Sequence, residues 1–211
     1  MDIGQLRKYF QDEMLSENEL LENPYDQFES WFGDACRAKV KTPNAMTLAT
    51  ATEDQFPSLR TVLLRKICRD GFTFFTRNDS HKVSDIENNP SVTLQLRWLP
   101  IHRVVTIKGT LVPSSTKENR NFFNSCNRQM KLASWLPPYS EIEDFDQYQE
   151  HLRRLEIQYD KAMIPMPDTW CGFVIKAVEF TFWQGRSDYI HDHFSYQLSD
   201  DGEWSISRLA P

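Results

Sequence analysis

The tightest constraint on this chain is a change of hydrophobic period at Ala45. Before it, Tyr25, Phe28, Trp31, Phe32, Ala35 and Cys36 recur at spacings of three and four, the apolar face of a helix. After it, 45–52 (AMTLATAT), 58–68 (SLRTVLLRKIC) and 72–77 (FTFFTR) are short runs of β-branched and aromatic residues, which read as strands. Asp70-Gly71 between the last two is a hairpin signal, because the tight turn that matches strand twist needs positive φ. Strand chemistry returns at 91–98 (SVTLQLRW), 103–112 (RVVTIKGTLV), 172–184 (GFVIKAVEFTFWQ), 193–198 (HFSYQL) and 203–209 (EWSISRL), the last two joined by Asp200-Asp201-Gly202.

Helices are expected between these runs. Asn23 can cap the first, and Pro24 suits its first turn, where a missing N–H costs nothing. A short helix over 79–89 is stopped by Pro90, and Ser115 with Glu118 forms a capping box for one reaching about Cys126. Pro137-Pro138 breaks the chain. Phe145, Tyr148, Leu152, Leu155 and Tyr159 then carry helical spacing over 144–160. Residues 1–22 are polar and acidic and read as a mobile arm. The rest, 23–211, reads as one α+β domain: an antiparallel barrel with flanking helices.

Composition excludes several classes. With 211 residues, 40% of them hydrophobic, the chain can bury a core without metal or disulfide staples. Lys and Arg number 24 against 30 Asp and Glu, a formal charge of −6, which argues against a nucleic-acid binder. Cys36, Cys68, Cys126 and Cys171 form no C-x-x-C pair and read as free thiols of a reducing compartment. The opening MDIGQLRKYFQDEM has no apolar run, and nothing approaches the roughly 20 apolar residues of a membrane span, so a cytoplasmic protein is expected.

Two stretches carry candidate chemistry. Arg60 and Arg65-Lys66 lie on one strand, and Phe75-Thr76 ends the next. Arg77-Asn78-Asp79-Ser80-His81-Lys82 then opens a helix. Amide donors at a helix start, the Ser80 hydroxyl and the Lys82 ammonium suit a bound phosphate, and Arg60 can reach the same anion. Taken on the pattern alone, an ordinary capped helix with solvated charges is the simpler reading. Trp183 ends a strand and can flank a flat cofactor ring or simply fill the barrel mouth. His191 and His193 share a face of an extended segment, without a third ligand for a metal. No Walker, Rossmann, G-x-S-x-G or H-E-x-x-H pattern is present.

Taken together, NPYDQFESWF (23–32), NAMTLATAT (44–52), RTVLLRK (60–66), GFTFFTR (71–77), SHKVSDIENNP (80–90), FWQGRSDYIHDHF (182–194) and RLAP (208–211) resemble the pyridoxine/pyridoxamine 5'-phosphate oxidases in order and spacing. The resemblance implies an FMN-binding split β-barrel, homodimeric, with flavin at the subunit interface. It implies oxidation of the C4' alcohol or amine of vitamin B6 phosphates to pyridoxal 5'-phosphate, with molecular oxygen as acceptor.

Carried over by position, Arg60 and Lys82 match the family's FMN-phosphate contacts. Leu63, Leu64, Phe75 and Thr76 match strand positions along the flavin, and Ser140 and Trp183 match further FMN contacts. Ser80 and His81 complete the helix start, with His81 in place of an arginine. His193 also replaces an arginine, and Val104 a glutamine. In the substrate pocket His191 matches the family's histidine and Arg65 replaces a lysine. These two are expected to set the C4' hydrogen facing flavin N5 for hydride transfer. Tyr189 replaces an arginine, while Phe122, Cys126 and Met130 stand for the phosphate-binding tyrosine, arginine and serine. Losing those three donors weakens a phosphate grip by about 3–5 kcal/mol, unless Arg128 or Lys131 compensates. Three readings follow: a B6-phosphate oxidase with a weakened or rearranged grip, a related flavin oxidase of a less charged small molecule, or a non-catalytic flavin- or pyridoxal-phosphate-binding protein or dimeric interaction module on the same barrel.

Overall fold

The computed structural model describes residues 14–52, 56–137, 145–188 and 190–210. Its first helix, α1 (Pro24–Arg37), begins as expected: the Asn23 side chain accepts the Tyr25 N–H at 2.9 Å, and Pro24 sits in the first turn. The face bearing Tyr25, Phe28, Trp31 and Ala35 is buried. Phe28 meets Phe72 edge-on at 4.9 Å, and Trp31 meets Phe182 at 5.1 Å, so α1 packs on the inner side of the sheet.

Strands β1 (Ala45–Thr50), β2 (Ser58–Leu63), β3 (Lys66–Cys68), β4 (Gly71–Arg77), β5 (Ser91–Trp98), β6 (Arg103–Pro113), β7 (Trp170–Gln184), β8 (Asp192–Leu198) and β9 (Trp204–Arg208) form one antiparallel sheet. Its main path runs β2-β1-β5-β6-β7-β4-β3, with β8 and β9 continuing from β7. Helices α2 (His81–Asn88), α3 (Thr116–Ser125), α4 (Arg128–Ala133) and α5 (Phe145–Gln158) flank it.

The stretch 58–68, expected as a single strand, is two. Up to Leu63 it pairs with β1, and the Leu64 N–H still reaches Asn44 O at 2.9 Å. The Arg65 N–H bonds instead to Thr73 O at 2.8 Å, and Lys66 to Cys68 pair with β4. Thus β2 and β3, at opposite ends of the strand order, are separated by only Leu64 and Arg65. The sheet therefore curls so that its two ends are joined through these residues.

The long strand β7 creates the split. It pairs with β6 along one side; on the other, Trp170–Ile175 pairs with β4 and Glu179–Gln184 with β8. A bulge where Lys108 faces Glu179 and Gly109 faces Ala177 leaves Val178 unpaired between the two partners. Gly109 lets the strands approach there, because a Cβ would lie 2.3 Å from Lys176 O.

Outside β4 and β7 a smaller cluster gathers Phe123, Leu132, Ile164 and Trp170 beneath α3, α4 and α5. The Ser115–Glu118 capping box starts α3 as expected. Helix α4 was not anticipated; its cap is Asn127, which accepts the Met130 N–H at 2.8 Å. Of the polar segment 1–22, residues 1–13 lie outside the described ones. Leu15 is buried, and Leu21 O accepts the Tyr196 hydroxyl at 2.8 Å. Among the described residues, no helix is long and apolar enough to cross a membrane.

The hairpin at Asp70-Gly71 carries a sharp test. Gly71 has φ +133°, and a Cβ there would lie 2.2 Å from Ile175 O. Gly71→Ala therefore loses about 3 kcal/mol of stability. Urea unfolding should show a lower midpoint with an unchanged slope; an unmoved midpoint contradicts this account of the closure.

Candidate active site

Barrel closure brings Arg60 of β2 against α2. Its Nη1 donates to Thr50 Oγ1 at 2.5 Å and to Ser58 O at 3.1 Å, and its Nη2 to Asp85 Oδ2 at 3.2 Å. The Thr50 hydroxyl in turn donates a hydrogen bond to Asp85 Oδ2 at 2.6 Å, and His81 Nδ1 lies 3.4 Å from Oδ1. The Thr50 hydrogen bond, with His81 and Arg60, holds the buried Asp85 carboxyl below the usual carboxylate range against the opposing effect of burial.

Lys82 completes this corner. Its Nζ donates to the neutral Thr76 hydroxyl at 3.1 Å, and among the described residues it forms no ion pair. Burial, and then the nearby charge of Arg60, push its pKa down. The Ser80 hydroxyl turns away to Arg77 O at 2.7 Å, so no side chain caps the start of α2. Two cations and an uncapped helix start thus share one corner, the chemistry of an anion site. Cys171, paired opposite Thr76, donates its thiol to Thr76 O at 3.6 Å and is pushed up to about 11 by burial. It stays a thiol at neutral pH.

Neighbouring residues on a strand face opposite ways, so Phe75 points away from the Thr76 side. It stacks on Phe122 of α3 at 4.0 Å with the rings 2° apart, and Trp170 lies parallel 6.0 Å away. The Arg65 guanidinium sits 5.6 Å from the centre of the Phe122 ring, a cation–π contact. Cys126 donates to Phe122 O at 3.2 Å; burial raises its pKa, opposed by the charges of Arg65 and Lys131. Arg128 is committed elsewhere, to Tyr159 O at 2.9 Å. Lys131 bonds Asn124 O at 2.8 Å beside this pocket. Leu63 ends β2, and Leu64 is buried at the partner switch.

A separate group lies at the other end of β7. Val104, Trp183 and His193 face one another in register across β6, β7 and β8. They line a cavity of about 440 Å³ with Gln95, Arg97 and Arg103. The His191 ring packs 4.7 Å from Trp183, and its Nδ1 accepts the Arg186 N–H at 3.1 Å.

The site residues are therefore gathered in two places. Arg60, Ser80, His81, Lys82, Thr76, Phe75, Leu63, Leu64 and Arg65 cluster around β2, β4 and α2, and Trp183, His191 and His193 around the far end of β7. Trp170, beside the first group, and Trp183, in the second, stand thirteen residues apart, roughly 40 Å along the strand. Ser140 and Tyr189 lie outside the described residues. Sequence reasoning missed Arg97, which pairs directly with Val104, and Asp192, the fully buried carboxylate between the two histidines. Arg97 is legible only once the β5–β6 register is known. Among the described residues no group of three His, Cys, Asp or Glu side chains is placed to hold a metal.

The family described as pyridoxamine 5'-phosphate oxidase matches residues 32–159, and the pyridoxine 5'-phosphate oxidase C-terminal dimerisation region matches 170–211. A pyridoxine/pyridoxamine 5'-phosphate oxidase of Crocosphaera subtropica is 42% identical over 214 residues, covering all of both chains. The chain belongs to the pyridoxine/pyridoxamine 5'-phosphate oxidase family. The protein of the same name from Rippkaea orientalis is 41% identical over the full length of both. Among solved structures, PhzG from Burkholderia lata 383, in complex with tetrahydrophenazine-1-carboxylic acid, has a TM-score of 0.87 at 25% identity, covering 95% of this chain and 99% of that one. A related FMN-binding protein of Nostoc punctiforme has a TM-score of 0.74 at 15% identity and adds the fold alone. The split barrel is thus the family's own, and membership makes this chain an oxidoreductase of a flavin-binding, dimerising family.

The Asp85 network has a pH signature. A depressed carboxyl pKa gives stability that is fully present above the unfolded value of about 4 and is lost as pH falls through the folded value. Asp85→Asn should lower the thermal midpoint at pH 7, with the gap to the parent closing as pH drops below 4. A gap that persists unchanged into acid contradicts the network.

Proposed function

We propose that this protein is an FMN-dependent oxidase of vitamin B6 phosphates, yielding pyridoxal 5'-phosphate with molecular oxygen as acceptor. One observation carries the reading: Lys82 is held beside Arg60 at an uncapped helix start, with both burial and like charge opposing its ionisation. The negative charge of a phosphate there offsets both costs, and the family gives the phosphate its identity, FMN. When bound, FMN supplies the two-electron redox chemistry, and the chain supplies placement. Arg60 and Lys82 hold the phosphate, while Ser80 and His81 complete the α2 start.

Because Trp183, His191 and His193 stand at the far end of β7, we assign them to the flavin held by the other chain of a homodimer. This agrees with the dimerisation region matched at 170–211. Ser140 is assigned to the cofactor, and Tyr189 to the substrate, from family position alone. On the substrate side, Arg65 and Lys131 flank Cys126 and stand in for the donors absent at Phe122, Cys126 and Met130. His191 accepts the Arg186 N–H at Nδ1, so its Nε2 carries the proton and donates toward the substrate.

A second reading has its own support. Phe122 stacked on Phe75, with Cys126 and Met130 beside it, offers a flat and weakly polar surface. The solved PhzG structure holds tetrahydrophenazine-1-carboxylic acid. These features fit a less charged, planar substrate. Peroxide release separates the two: the proposal expects it with pyridoxine phosphate and pyridoxamine phosphate. Bound flavin without turnover of either supports the second reading or a non-catalytic binder.

The cofactor claim is tested by Lys82→Met. Lys82 has a lowered folded pKa, so its charge costs stability at every pH below that value, and the cost fades as pH rises through it. Lys82→Met should therefore raise the flavin-free thermal midpoint at pH 7. It should also weaken FMN binding roughly 10- to 100-fold by fluorescence-quenching titration. Unchanged FMN affinity, or a parent protein that takes up no flavin, refutes the assignment.

A further inference from the structure

The carboxylate of Asp192 has no exposed surface, although the residue lies between two site histidines. Its Oδ2 accepts the Leu15 N–H at 2.9 Å. Its Oδ1 accepts from Arg208 Nη1 at 3.1 Å and lies 3.6 Å from Arg186 Nη1. A buried carboxylate is tolerated only when paired and hydrogen-bonded, and here Leu15 and Arg208 supply the hydrogen bonds while Arg186 adds a second positive charge.

The partners define what the carboxylate controls. Arg186 opens the turn from β7 to β8, and its backbone N–H is the donor to His191 Nδ1. The connections close on themselves: His191 leans on the Arg186 backbone, the Arg186 guanidinium is shared between a hydrogen bond to Asp188 at 2.5 Å and an ion pair to Asp192 at 3.6 Å, and Asp192 follows His191 in the chain. Arg208, the arginine of the terminal RLAP, lies 4.6 Å over the Phe194 ring, and the next N–H, of Leu209, bonds His193 O at 2.7 Å. The same carboxylate thereby seats the His193 strand. Through Leu15, and through Glu17 at 3.6 Å from Arg208, it also fastens the stretch around Leu15 to Glu17.

We propose that Asp192 is the positioning residue of this site. Its buried carboxylate locks Arg186, Arg208 and the Leu15 backbone into one cluster that fixes the orientation and tautomer of His191. Asp192 touches neither substrate nor cofactor. It acts through Arg186. This rests on the functional reading above only for the claim that His191 faces substrate; the effect on the imidazole stands apart from it.

The test uses the full-length protein with two variants, Asp192→Asn and Arg186→Gln. The second leaves the Arg208 and Leu15 bonds to Asp192 in place and guards against a fold lost in the first; because it also removes the Arg186–Asp188 bond, Asp192→Asn is the variant that assigns the effect to Asp192. Nitrogen-15 NMR of the imidazoles, with His191 assigned by its loss in His191→Gln, should show the Nε2–H tautomer in the parent and a mixed population in both variants. An unchanged His191 signal in Arg186→Gln, or in a folded Asp192→Asn, overturns the proposal. In turnover, Asp192→Asn should lose on the order of 100-fold in kcat, as for a misplaced catalytic group, with little change in KM. Combined with His191→Gln it should lose no more than His191→Gln alone; additive losses overturn the proposal. If the parent oxidises no B6 phosphate, that result removes the functional reading, while the NMR comparison still decides the role of Asp192.

Discussion

The change of hydrogen-bond partner at Leu64 and Arg65 is the event on which the rest of this molecule depends. One short stretch of chain satisfies β1 and then, two residues later, β4, and so joins the two ends of the sheet. The closure also sorts the charges of that stretch. Arg60, before the switch, turns to Thr50, Asp85 and the start of α2; Arg65, at the switch, lies over Phe122. A single continuous strand on one partner would give neither arrangement, since residues five apart on one strand would simply alternate along it.

Two buried carboxylates then do opposite kinds of work. Asp85 gathers Thr50, Arg60 and His81 into a neutralised base, leaving Lys82 as the cation without an ion partner among the described residues. That leaves a local cost in the folded state, which a bound anion removes; sites of this kind trade stability for binding. Asp192 is fully engaged instead, by two guanidinia and a backbone N–H. Its role in our account is rigidity: it ties the last strand, the β7–β8 turn and the segment at Leu15 to a single point.

Much of the fold was legible in the sequence because its signals are local. The Asn23-Pro24 start, the Asp70-Gly71 hairpin and the Ser115–Glu118 box each act within a few residues, and each is found in place. What escaped was set by distant contacts. Nothing in TVLLRKI marks the break at Leu64, because the stretch carries no Gly, Pro or turn residue there. Helix α4, with six residues, is too short for a periodic signal and is held by Asn127 and the cluster below it. The candidate site was legible as types of residue in order, through Arg60, Lys82, Trp183 and His191. That they fall into two groups at opposite ends of β7 was not, because separation is a property of register. Asp192 escaped because a charged residue between two histidines looks like a solvated loop.

The central claim is that these two groups serve one flavin only when they come from different chains. Mixed dimers test it most directly. A variant lacking Arg60 and Lys82 as Ala and another lacking Trp183 and His193 as Ala should each take up little FMN alone. Unfolded and refolded together, they should recover one intact site in every mixed dimer, read as FMN bound per dimer. No recovery in mixed dimers shown to have formed, or full FMN uptake by either variant alone, would contradict the account.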